Sequence, residues 1–148
     1  MLVHQILRAK SANSGHNGVV TISPDKTLAE AATLLAEMRI GAVVVSHDGI
    51  NADGILSERD IVRVIGRRGA DCMLDKVRDT MTRDLVSCAP DDKADAVLVK
   101  MTNGRFRHMP VLQDGAMVGV ISIGDVVKAC IDELAMEKEA LEGMIMGY

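Results

Sequence analysis

Apolar residues change their spacing several times along the first half of the chain, and each change predicts an element. Leu2, Val3, Ile6 and Leu7 recur with the period of one helix face, and the Ser, Asn and Gly residues between 11 and 18 break that period. Val19-Val20-Thr21-Ile22 is a short β-branched run closed by Ser23-Pro24-Asp25, which reads as a strand and a turn. Thr27 with Glu30 three residues later has the spacing of a capping box. The helix it opens places Leu28, Ala31, Ala32, Leu35 and Met38 on one face and ends at Ile40-Gly41. Ala42-Val43-Val44-Val45 has no polar break, so it predicts a strand covered on both faces. Asp48-Gly49 is a turn signal, followed by a strand ending in Gly54-Ile55-Leu56-Ser57 and a helix from Asp60 to about Gly66. The order is strand, helix, strand, strand, helix, behind a leading helix.

That order returns. Displacing the chain by 66 positions lays Val20, Pro24, Asp25, Val45, Asp48 and Gly49 on Val86, Pro90, Asp91, Val111, Asp114 and Gly115. Displacing it by 65 lays Gly54, Ser57 and Asp60 on Gly119, Ser122 and Asp125, so the second hairpin is one residue shorter. Val3 and Leu7 correspond to Val77 and Met81, and Val97, Leu98 and Met101 rebuild the apolar face of the first repeat's helix. The expected units are 1–66, a first repeat with its leading helix; 67–76, a connector whose Arg67-Arg68-Gly69-Ala70 is solvated; 77–130, a second repeat; and 131–148, a helical extension. In that extension Ile131, Leu134, Leu141, Met144 and Ile145 keep helical spacing. It is too apolar to be a free tail and is expected to pack on another subunit or on the module itself.

The duplicated Gly-x-x-Ser-x-x-Asp stretch carries the candidate chemistry. Each copy reads as strand, tight turn and helix start. A Ser hydroxyl, free backbone N–H groups and the positive end of a helix suit a phosphate, and an Asp carboxylate suits a pair of ribose hydroxyls. The plainer interpretation of either copy alone is structural, with Ser57 and Ser122 as caps and Asp60 and Asp125 as first-turn acids. Two copies in matching contexts shift the weight toward a shared function.

Composition narrows the classes. With 148 residues, 48% apolar and 26% charged, the chain fits one ordinary domain or two small ones sharing a core, and no apolar run approaches a membrane span. The N-terminal residues show no basic stretch followed by an unbroken apolar one, so a cytoplasmic location is expected. Cys72, Cys88 and Cys130 are odd in number and widely spaced, which argues for idle thiols over disulfides or zinc ligands. A net charge of −4 gives no basic footprint for nucleic acid. Phe106 and Tyr148 are the only aromatics, so a bound purine would be held by aliphatic and backbone contacts. Among ten methionines, Met38, Met101 and Met109 fall where core is expected. His4, His16, His47 and His108 form no nucleophile motif with the cysteines and serines, and Asp91-Asp92 reads as a capping pair. No catalytic residues and no metal site are expected.

In combination, the Ser/Ala-Pro-Asp turns, Met81-Thr82, Ile40-Gly41-Ala42, Arg107-His108-Met109-Pro110-Val111 and the two Gly-x-x-Ser-x-x-Asp turns resemble a tandem pair of CBS (cystathionine β-synthase) domains, a Bateman module, from Val3 to about Ala129. The resemblance implies an α/β (α+β) fold: two β-α-β-β-α repeats about a pseudo-twofold axis, sheets packed together with helices outside, and two clefts that commonly hold adenosine nucleotides. It assigns ribose contacts to Asp60 and Asp125 and phosphate contacts to Ser57 and Ser122. Val20, Thr21, Ile22 and Val86, Ser87, Cys88 would wall the adenine pockets, with Ile40, Gly41, Ala42 and Met109, Pro110 beside them.

Arg59 opposes the dipole of its helix unless an anion is near, and its counterpart is Gly124, so the clefts should differ in charge. Arg105 is expected to be a solvated helix end. Arg107 and His108 are expected to serve the site, since the smaller Gly41 and Ala42 hold the same place in the first repeat. AMP, ADP, ATP, NAD and S-adenosylmethionine all remain open as ligands. If Arg59, Arg107 and His108 gather, they would suit the diphosphate of NAD. The implied function is a regulatory nucleotide sensor acting on a target protein. It would be a homodimer built through Ala31, Ala32, Val97, Val127 and the C-terminal stripe. The alternatives are a structural dimerisation unit without ligand, or an enzyme acting on a nucleotide with His108 as its only candidate base.

Overall fold

In the computed structural model, which describes residues 1–14 and 19–146, the two repeats form two cores with no buried residue in common. The first repeat comprises β1 (Thr21–Ile22), α2 (Leu28–Met38), β2 (Ala42–Val45), β3 (Gly54–Ser57) and α3 (Glu58–Arg68), behind α1 (Val3–Ser14). A 3-10 turn at Ala70–Leu74 and the short α4 (Val77–Thr80) lead to α5 (Ala94–Gly104), β4 (His108–Gln113), β5 (Ala116–Ser122) and α6 (Ile123–Ile145). In the first sheet β1 runs parallel to β2, and β2 pairs antiparallel with β3. The second repeat keeps the antiparallel hairpin β4-β5. Its counterpart of β1 is reduced to a parallel bridge between Cys88 and Val111. The fold is the mixed α/β duplication that the periodicity predicts.

Local chemistry explains the element limits. Thr27 Oγ1 accepts from the Glu30 N–H at 3.2 Å, but the Glu30 carboxylate lies 3.5 Å from Lys26, so only half of the expected capping box forms. Helix α2 ends one residue before Ile40-Gly41, at Arg39, which adopts the left-handed conformation (φ 54°), and α5 ends the same way at Arg105 (φ 58°). The expected helix start at Asp60 is corrected to Glu58. Ser57 is the N-cap and Asp60 the third helical residue, and the helix runs on to Arg68. Strand β2 is buried at all four residues, as its unbroken apolar run requires. The strand expected over 19–22 is limited to Thr21–Ile22. Arg67 and Arg68 in the connector are solvated, yet the 3-10 turn that follows buries Cys72 completely in the first core. The Cys88 thiol is pushed up to about 11 by burial and by Asp92, which keeps it protonated and inert.

The two leading segments are exchanged in space. Helix α1 precedes the first repeat, but its Val3 and Ile6 belong to the second core, with Val97, Met101, Val111 and Ile121. Val77 of α4 belongs to the first core, with Leu28, Val43, Val45 and Leu56. Matching backbone hydrogen bonds tie the exchange: Val3 N–H donates to Asp92 O (2.9 Å) and His4 N–H to Pro90 O (3.0 Å), while Val77 N–H donates to Lys26 O (2.8 Å) and Arg78 N–H to Pro24 O (3.1 Å). Glycine leaves room where these segments cross the hairpins, against backbone at Gly54 and against a side chain at Gly119. A Cβ on Gly119 would lie 2.7 Å from Leu7 Cδ2, and one on Gly54 would lie 2.7 Å from Met81 Sδ and 2.9 Å from Thr82 O. The first glycine of each repeated stretch thus admits the crossing chain.

Two expectations about surfaces are corrected. Ala31 and Val97 are fully buried inside their own cores and cannot belong to a dimer face. Helix α6 buries Val126 and Ala129, then continues with Ile131, Leu134, Met136, Leu141, Met144 and Ile145 exposed, so the extension does not fold back on its own module. Met101 and Met109 are buried as expected, whereas Met38 is half-buried. Among the described residues no helix is long and apolar enough to cross a membrane.

Candidate ligand cleft between the repeats

Both Ser-x-x-Asp turns form complete capping boxes. Ser57 N–H donates to Asp60 Oδ2 at 3.0 Å and Asp60 N–H to Ser57 Oγ at 3.2 Å; the corresponding distances for Ser122 and Asp125 are 2.9 and 3.1 Å. The first helical N–H is also taken: Glu58 donates to Gly41 O at 2.9 Å and Ile123 to Arg107 O at 2.7 Å. Each Asp therefore commits Oδ2 to its cap. What distinguishes the copies is what surrounds them.

Ser122 and Asp125 open onto a cleft of about 770 Å³. Its floor is Val118, Gly119 and Val120 of β5; the facing wall is Val19, Val20, Ile40, Gly41 and Ala42 of the first repeat. Leu7, Lys10 and Ser11 of α1 close one side, and Glu37, Met38 and Arg39 at the end of α2 another. His108 enters from β4, and a Cβ on Gly41 would come within 3.3 Å of its Nε2, so the glycine leaves space for the ring.

Lys10 is the residue the sequence did not reveal. Its ammonium lies 2.9 Å from Asp125 Oδ2 and 3.1 Å from Val120 O. Burial opposes ionisation of Asp125, but the Ser122 N–H and Lys10 outweigh it and hold the carboxyl below its usual range. His108 moves the other way for a base: burial and the Lys10 charge lower its pKa against the pull of Asp125 and Glu58. The signal for Lys10 was present, since it continues the Val3, Leu7 helical stripe with a cation in place of an apolar residue.

Of the residues singled out in the sequence, Val20, Ile40, Gly41, Ala42, His108, Ser122 and Asp125 meet at this cleft. Thr21 is half-buried in β1, and Ile22 is buried in the first core. Asp60 lines a separate hollow of about 330 Å³ with Arg63, Arg67, Asp75, Asp79 and Thr80, without Ser57. Arg59, Val86, Arg107 and Gly124 are exposed and line neither space. Ser87 is half-buried. Cys88, Met109 and Pro110 are buried in the second half, where the Cys88 N–H donates to Pro110 O at 3.1 Å. Among the described residues no group of three or more His, Cys, Asp or Glu side chains could hold a metal ion.

A duplicated α+β unit with exchanged lead segments and a polar-edged cleft between its copies defines a tandem-repeat module. The family model for the CBS domain matches residues 16–67 and 77–132, and the chain belongs to the CBS-domain family. It is 32% identical over 149 residues to the mitochondrial CBS domain-containing protein CBSX3 of Arabidopsis thaliana, covering 98% of this chain and 72% of that one. A CBS-domain containing protein from Agrobacterium tumefaciens superposes with a TM-score of 0.79 at 42% identity, covering 87% of this chain and 98% of that one. A CBS domain protein from Pyrobaculum aerophilum, solved complexed with AMP, superposes with a TM-score of 0.75 at 25% identity, covering 92% and 99%.

Proposed function

We propose that this protein is a regulatory module that holds an adenosine nucleotide in the cleft beside Asp125, and that AMP is the form it fits best. The observation that carries this is the pairing of an ionised ribose-type acceptor, Asp125, with a cation, Lys10, at the edge of a cleft of about 770 Å³. That volume lies within the range of small-molecule sites. Asp125 Oδ1 is free of the cap and turns to the ribose hydroxyls. The Ser122 hydroxyl lines the cleft and keeps its O–H to donate to the phosphate. Val20, Ile40, Ala42 and Val118 supply aliphatic walls for the base. The AMP bound by the Pyrobaculum aerophilum protein supports the ligand class. A mononucleotide is favoured over NAD because Arg59 and Arg107, the cations a diphosphate would use, line neither space.

The module binds and signals without chemistry of its own: the hydroxyl of Ser122 and the ammonium of Lys10, which share the cleft with His108, are engaged with Asp125. It signals to a target protein as a homodimer, the exposed stripe of α6 being the surface that a second copy covers. Titration calorimetry with AMP, ATP and NAD tests the ligand. AMP should give saturable heat, and Asp125→Asn should weaken it about 10- to 100-fold through lost charge-assisted hydrogen bonds. Asp60→Asn should leave that site intact. No heat with any of the three nucleotides overturns the proposal, and loss of AMP binding in Asp60→Asn alone would move the site to the other half.

A further inference from the structure

We infer that Lys10 reads the phosphate of the ligand, and that nucleotide binding replaces the Lys10–Asp125 ion pair with two ligand contacts: ribose hydroxyls on Asp125 and phosphate oxygens on Lys10. This rests on the nucleotide site proposed above and adds to it the residue that selects for phosphate. The pair joins α1 to the start of α6 across 115 residues of sequence, so it belongs to the cleft and to no single element. An ammonium has three donors. Lys10 gives two of them to Asp125 and Val120 O, which leaves one directed elsewhere. Its side chain is 39% exposed, so the ammonium remains open to solvent.

The chemistry of the ligand places the reader here. The 5′-phosphate hangs from C4′, next to the carbon that bears the 3′-hydroxyl, so a flexible cation that can swing to it stands beside the carboxylate that holds the ribose. Lys10 does, at 2.9 Å. Arg39 also lines the cleft, but it caps the far end of α2 with Glu37 two residues away. His108 is kept neutral near pH 7 by its buried position. Asp125 Oδ2 accepts from Ser122 N–H and from Lys10. A ribose can take the other carboxylate oxygen, Oδ1, with or without Lys10 on Oδ2, and only a ligand with phosphate gives Lys10 a better partner.

The other half has no such device. The register that lays Val3 on Val77 and Leu7 on Met81 lays Lys10 on Asp84. Helix α1 continues to Ser14 and carries Lys10 over β5, whereas α4 stops at Thr80 and Asp84 is exposed beyond it. The lysine-carboxylate pair is therefore confined to the Asp125 cleft; the hollow beside Asp60 is lined by arginines of its own helix instead.

Calorimetric titration of AMP and adenosine into the full chain, wild type and Lys10→Met, tests this, since Met keeps the apolar stem and loses the charge. The wild type should prefer AMP over adenosine by about tenfold or more, the scale of one charge-assisted contact. In Lys10→Met, AMP should weaken by a similar factor while adenosine binds equally well or more tightly, and Lys10→Arg should restore the preference. Equal weakening of both ligands, or an unchanged AMP preference, overturns the role of Lys10 and leaves the nucleotide site standing. Failure of the wild type to bind either ligand removes the site and this role together.

Discussion

His108 sits at the start of β4, yet its ring lies against Gly41 of the other repeat, and burial with the Lys10 charge depresses its pKa below the ordinary 6.5. The sign of the consequence follows from linkage. With a depressed folded pKa, the unfolded chain takes up the proton first as pH falls, so the contribution of His108 is complete above 6.5 and is lost in the window below it. His47 has the opposite sign. Its Nδ1 lies 2.6 Å from Asp53, which raises its pKa, so its contribution is present below the ordinary value and lost as pH rises. It is fully exposed and screened, and His108 should dominate on the acid side. Thermal midpoints measured from about pH 7 down to about pH 5.5 should fall less steeply in His108→Gln than in the wild type. Parallel curves would show that the ring is not coupled to the fold in this way.

At the scale of elements, α6 has two characters. Its first two turns are ordinary core, with Val126 and Ala129 buried. Starting within them, Val127, Ile131, Leu134, Lys138, Leu141 and Ile145 follow alternating steps of four and three, the period of a coiled-coil seam with one charged position. A helical stretch of about 12–15 residues is marginal in water without cover. In the proposed homodimer a second copy would cover the exposed half, meeting the same stripe with its own. Leu134→Glu combined with Leu141→Glu should convert a dimer in sedimentation to a monomer of 15.9 kDa and reduce the helical circular dichroism. A wild type that sediments as a monomer at micromolar concentration would refute the seam.

Across the whole molecule, the exchange of α1 and α4 means that each half is completed by a segment lying next to the other half in sequence. Val3 and Val77 are both fully buried, each in the core it reaches across to join. Replacing either by Ala removes two methyl groups from a packed site, a loss of roughly 1–3 kcal/mol. The location of the damage should be crossed: Val3→Ala should lower hydrogen-exchange protection in β4 and β5, and Val77→Ala in β2 and β3. Protection lost chiefly in the half adjacent in sequence would contradict the exchange.

The sequence by itself determined the order of elements, the duplication, the double burial of β2 and the pairing of each Ser with its Asp. All of these are local: side-chain period, capping chemistry and repeated spacing act within a few residues, and they read the same in an isolated segment as in the fold. Tertiary structure alone decided what each buried face meets. Helical period in α1 required a core but did not say which, and the answer was the second. The same period in residues 131–145 required cover that the module itself does not provide. Gly54 and Gly119 read as members of a repeated strand end, and only the fold shows Met81 and Leu7 crossing them. Lys10 and Asp125 are 115 residues apart, and Arg107, adjacent in sequence to His108, stays outside the cleft. Periodicity records that a side chain faces inward; only the path of the chain sets which partner waits there.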